Sequence, residues 1–178
     1  MHLHARCKPF PWLLITMVLC STPLAAQNWR GTDGPHYDIA RADQLRLEAL
    51  ALYGQPDSWN RVAALHEESA RLRPPGDPYR IRDLIVAAAI IDRNGDHTKA
   101  GHLMQDAADA ALVVGDIAQA ADLYVTAAII TNRGGDGMTA MTLIHKAELL
   151  LNSPLLGEEV RAAIRARIVE TQQSVASK

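Results

Sequence analysis

Cysteine is almost missing from this 178-residue chain, which has only Cys7 and Cys20. Both fall in an N-terminal segment that reads as one to be removed, so the mature protein would carry neither thiol nor disulfide. Thiol catalysis and cysteine-ligated zinc are thereby excluded. Aromatic side chains make up 4% of the residues, and the single phenylalanine, Phe10, lies in the same early segment. No stretch alternates apolar and polar residues with a period of two, which speaks against strands. Long hydrophobic runs are also lacking. The N-terminal run, from Leu13 to Cys20, is about half the roughly 20 residues that a membrane-spanning helix needs.

What does stand at the N-terminus is ordered like a secretory signal. His4, Arg6 and Lys8 precede the apolar run, and the small pair Ala25-Ala26 follows it. We expect cleavage near Ala26-Gln27, although Leu24 is bulkier than the residue usually found at that place. Lipid attachment at Cys20 fits poorly because Leu19 stands where a small residue is wanted. The expected organisation is a signal peptide over 1–26, a polar Gly- and Pro-containing leader over 27–36, and a folded domain over 37–178. The mature protein would then be periplasmic or secreted, with no stable membrane span. Of the 18 basic residues, Arg6 and Lys8 leave with the signal, so 16 face 20 acidic ones, a formal charge near −4. That balance argues against nucleic acid as a partner, which would call for a basic face.

From Tyr37 onward, segments rich in Ala, Leu, Ile, Gln and Arg alternate with short breakers, among them Gly54-Gln55-Pro56-Asp57 and Asn152-Ser153-Pro154. Gly-Asp pairs begin at 76, 95, 115 and 135. Glycine supplies the left-handed conformation that ends one helix, and aspartate caps the next by accepting from its free amides. Each pair therefore predicts a tight reversal between helices of about 25 Å that run antiparallel. A longer period is superposed on this one. Asp83 to Ile91 matches Asp122 to Ile130 at seven of nine positions, an offset of 39, and a repeat of that length marks a row of stacked helix pairs.

Within those repeats, Gly95-Asp96-His97-Thr98-Lys99-Ala100 followed by Ala107, and Gly135-Asp136-Gly137-Met138-Thr139-Ala140 followed by Ala147, resemble the turn and second helix of a tetratricopeptide repeat. Asp57 to Val62, with Leu65, Ser69 and Pro74, resemble a weaker copy. The chain departs from that family in its longer repeat and its few large aromatics. The resemblance implies an all-α, right-handed α-solenoid of antiparallel hairpins, about seven helices in all. Small residues such as Ala88, Ala100, Ala128 and Ala140 would let neighbouring helices approach closely. The amphipathic stretch from Gly157 to about Ser174 suits a C-terminal capping helix, with Val160, Ala163, Ile164, Ile168 and Val175 among charged residues.

No local motif pairs a nucleophile with a base, or sets two carboxylates in different environments. His102 and Asp106 stand one helical turn apart, but two ligands are too few for a metal, and His36, His66, His97 and His145 read as solvated or packing residues. Asp106, Asp109, Asp116 and Asp122 are spread over two helices and read as caps and a solvated face. Trp29, in the polar leader, either packs on the first hairpin or serves as an anchor for a partner.

By the tetratricopeptide resemblance, Arg82, Asp92, Arg93, Asn132 and Arg133 fall near the inner face of the first helix of successive hairpins, where that family commonly holds peptides. Arg93 and Arg133, one repeat apart, would set two guanidinium groups along one groove. Arginine near a helix C-terminus also complements the dipole, so the same residues have a structural reading. The leading expectation is a non-catalytic exported adaptor or scaffold that binds a protein or peptide partner and needs no cofactor. A small-ligand or enzyme-accessory protein with a pocket lined by His102, Tyr124 and Asp106 is one alternative. A structural protein that self-associates through an exposed repeat end is the other.

Overall fold

A computed structural model describes residues 36–55 and 57–177; the expected signal, Trp29 and all of the leader except His36 lie outside them. The described residues form seven helices and no strand: α1 (Ile39–Leu52), α2 (Trp59–Arg71), α3 (Pro78–Arg93), α4 (His97–Val113), α5 (Ile117–Arg133), α6 (Gly137–Leu150) and α7 (Glu158–Ala176). The all-α expectation holds. Each helix packs on its neighbours in sequence, and α7 also reaches back to α5.

Three of the reversals share one design. Asp96, Asp116 and Asp136 each donate their backbone N–H to the carbonyl five residues earlier, on Ile91, Ala111 and Thr131, which closes the preceding helix. The same aspartates accept from the amides of Lys99, Gln119 and Thr139 through their carboxylates, which opens the next helix. The positive φ that this geometry needs is carried by Gly95, Gly115 and Gly135.

Gly76 departs from this pattern and carries no positive φ. The helix before it has already ended at Arg71, so Gly76 follows no helix terminus. The chain instead turns through Pro74–Asp77, with the Asp77 amide donating to Pro74 O at 3.0 Å. Asp77 still caps α3, with Pro78 at the first helical position. At the α1–α2 connection the cap also differs from the others. Ser58 makes no side-chain cap; its hydroxyl donates back to Leu52 O at 2.8 Å.

The main apolar core runs from Ala70 on α2 to Ile168 on α7 and is built largely of alanine. A separate small cluster, Leu45, Ala49, Val62 and Leu65, joins α1 to α2. On α7 the buried face is Ile164, Ile168 and Thr171, while Val160 and Ala163 are exposed. Helices α4 and α5 are in close contact at Gly101. A Cβ at buried Gly101 would run into the Thr131 hydroxyl well inside van der Waals contact, whereas the next atoms sit at 3.5 Å or more.

Alanine favours a helix interior over glycine by about 1 kcal/mol, yet overpacking of this kind costs about 1–3 kcal/mol. Gly101→Ala should therefore lower the urea midpoint despite its better propensity. Adding Thr131→Ala should recover the loss, because the remaining neighbours are at ordinary contact distance.

Candidate functional site

The odd-numbered helices are joined side by side by polar bridges. Arg133 Nη1 at the end of α5 lies 2.9 Å from Asp92 Oδ2 at the end of α3, and the other Asp92 oxygen accepts from His97 Nδ1 at 2.8 Å. Arg167 on α7 pairs with Asp122 on α5 and donates to Thr126 Oγ1 at 3.1 Å. Asn132 Nδ2 lies 3.3 Å from Ser174 Oγ. Between α5 and α7 these residues line a cleft of about 260 Å³, walled by Ile129, Asn132 and Arg133 on one side and Arg167, Glu170 and Ser174 on the other.

The five residues singled out in the sequence are distributed unevenly about this cleft. Asn132 and Arg133 line it, and Asp92 is tied to it through Arg133. Arg93 is exposed at the C-terminus of α3 and forms no ion pair among the described residues. Arg82 is exposed at the opposite end of α3, where its charge eases ionisation of the Tyr53 hydroxyl against the burial and the nearby Asp83 that push the phenol up. Arg133 is thus committed to a carboxylate, and the two guanidinium groups do not stand as an equivalent pair.

Sequence reasoning missed a buried polar cluster that ties α1, α2 and α3 together. Asp83 is completely buried, and its Oδ1 accepts from His66 Nδ1 at 2.8 Å and lies 3.1 Å from Arg46 Nε. Its Oδ2 accepts from Ser69 Oγ at 2.7 Å and has Arg73 Nε at 3.7 Å. His66 Nε2 then meets the Tyr53 hydroxyl at 3.2 Å. Arg73 is 1% exposed and pairs with Asp43 and with Asp77. Burial works against its charge, but the two carboxylates more than offset this and hold the guanidinium protonated more firmly than usual. Tyr79 lies over both Arg46 and Arg73, with centroid distances of 4.2 and 5.1 Å. The one available signal was Asp83 itself, an acid opening an otherwise apolar repeated block.

Serine, histidine and aspartate meet here, but not as a nucleophile with its base. Ser69 and His66 each contact a different oxygen of Asp83 rather than one another, and Ser69 is fully buried. A triad needs the base on the nucleophile, with the carboxylate behind the base. Here the carboxylate sits in the middle and acts as a tether.

Among the described cavities, Asp106 lines two, while His102 and Tyr124 line none of them. Tyr124 is buried and donates its hydroxyl to Asp109, and burial followed by that bond pushes its ionisation upward. His102 is exposed, and Asp106 lines a cavity of about 490 Å³ between α2, α3 and α4. Among the described residues, no three His, Cys, Asp or Glu side chains converge to hold a metal ion, and no helix is long and apolar enough to cross a membrane. Comparison with protein-family models, with curated proteins and with solved structures finds no match for this chain in any of the three.

Two stability measurements check these assignments. Asp83→Ala should cost about 3–5 kcal/mol in denaturant unfolding, because it strands buried cations. Asp122→Ala, at the same place in the repeated block but half-exposed in its pair with Arg167, should cost less than about 1 kcal/mol. Burial and then Asp109 raise the Asp106 carboxyl against the pull of Arg80 and His102, so the folded state takes up a proton there more readily than the unfolded chain. Stability must then fall as pH rises through the window above the usual aspartate range. Asp106→Asn should raise the Tm at neutral pH, and the gain should vanish below that range.

Proposed function

We propose that this protein is an exported, non-catalytic adaptor of tetratricopeptide-like hairpins that holds a protein or peptide partner along its odd-numbered helices. The observation that carries the reading is the cleft of about 260 Å³ between α5 and α7, which collects Asn132 and Arg133 from the expected binding set. Its walls offer Ile129 as apolar surface, guanidinium groups from Arg133 and Arg167, and the Glu170 carboxylate. That mixture suits an extended peptide, whose backbone carbonyls and carboxylates accept from arginine while its side chains find the apolar floor. Arg93, exposed and without an ion pair among the described residues, adds a free cation at the end of the neighbouring α3.

Site-specific photo-crosslinking in the producing cell tests this reading. A crosslinker at Glu170, on the cleft, should give one discrete adduct, whereas one at exposed Thr142 on α6 should give none. Arg93→Glu with Arg133→Glu should abolish that adduct and leave the helical circular dichroism intact, since the Asp92 pair is half-exposed at Arg133. Equal labelling from both positions, or an adduct indifferent to the double charge reversal, would sink the adaptor reading.

A further inference from the structure

The largest described cavity, about 490 Å³, lies away from the α5–α7 cleft and is formed by other elements. Its floor is Leu84 on α3, with Leu103 on α4 and the methyl groups of Ala64 and Ala70 on α2 beside it. A smaller cavity of about 190 Å³ continues it and shares two residues with it, Arg80 and Asp106. At the other end, Lys99 on α4 reaches across to Glu67 on α2 at 2.7 Å and bridges the two walls.

Arg80 and Asp106 differ from every other charged pair described above, because they face one cavity without meeting. Arg80 Nη1 donates to the carbonyls of Ala70 and Arg73 at 3.0 and 2.9 Å, which fixes the guanidinium but neutralises none of its charge. No carboxylate of the described residues comes within 4.0 Å of it, and Nε has no acceptor. Among the described residues the Asp106 carboxylate has neither a hydrogen bond nor an ion pair, and the residue is exposed. Arg80 nevertheless draws the Asp106 carboxyl downward against burial, so the two fields overlap across the cavity. Glu67, Glu68 and Arg71 also line the cavity and Asp106 is exposed, so charges of both signs border an apolar floor, a lining that suits a ligand with both charges and an aliphatic body.

We propose that this cavity binds a small aliphatic zwitterion, an amino acid or dipeptide, with its carboxylate toward Arg80, its ammonium toward Asp106 and its side chain over Leu84 and Leu103. A purely cationic ligand would meet Arg80, and a purely anionic one would meet Asp106. The zwitterion leaves neither charge opposed. This site is independent of the adaptor reading, which rests on α5 and α7.

The test is an NMR titration of the folded mature chain with leucine and, separately, with leucyl-leucine. At least one should saturate and move the amide signals of Ala64, Leu84, Leu103 and Asp106, and the stronger of the two identifies the source. N-acetyl-leucine, which lacks the ammonium, and leucinamide, which lacks the carboxylate, should each bind at least tenfold more weakly. Asp106→Asn should weaken the zwitterion about tenfold and erase its advantage over N-acetyl-leucine, with unchanged circular dichroism because Asp106 is exposed. Absence of saturation with both zwitterions, equal binding of the blocked analogues, or shifts confined to other helices would overturn the proposal.

Discussion

Burying a carboxylate among helices is costly unless its lone pairs are claimed, and Asp83 meets that condition with two donors from α2 and the Arg46 charge of α1 beside them. The requirement works in both directions. His66 and Ser69 are withdrawn from water against this carboxylate, Arg73 is withdrawn on Asp43 and Asp77, and the first helix is tied in through Arg46 and Asp43. Its own apolar contribution is the small Leu45 and Ala49 cluster, separate from the alanine-rich core that runs through the remaining helices. The N-terminal third therefore depends on polar geometry, and the rest depends on close packing of small side chains.

That division explains how much of the fold could be read in advance. Helix number, the reversals at 95, 115 and 135 and the capping α7 follow from residues acting over a few positions, so they were legible. The reversal at Gly76 was misread because its glycine stands five residues after the last residue of α2, too late to close it: α2 stops at Arg71, and the buried Arg73 side chain then fixes the turn by pairing with Asp77. Nothing local in Leu72-Arg73-Pro74 announces a guanidinium that pairs with Asp43, thirty positions earlier.

The candidate site was legible in part, and the repeat register shows why. The shared block is offset by 39, which aligns Arg93 with Asn132, whereas the reversals at 95 and 135 are offset by 40, which aligns Arg93 with Arg133. Helix α5 absorbs the difference with 17 residues against 16 in α3. One residue turns a helix by about 100°, so both alignments cannot hold for one face. Asn132 is buried and Arg133 is tied to Asp92, while Arg93 stays in solvent. The directions of these side chains depended on a slip that spacing alone could not assign.

The aspartates that end one helix and begin the next also bear on how the chain reaches its native state. Each such joint is written within about eight consecutive residues, and every helix finds its packing partners close by in sequence. Little loop-closure entropy has to be spent before contacts form, which places the helical row in the low contact-order class that folds within about microseconds to milliseconds. The longest spans belong to the polar bridges that join α7 to α5, Asn132 to Ser174 and Asp122 to Arg167, 42 and 45 positions apart. Docking of α7 onto α5 is thus the step with the longest search, and the hairpins before it can assemble without waiting for it.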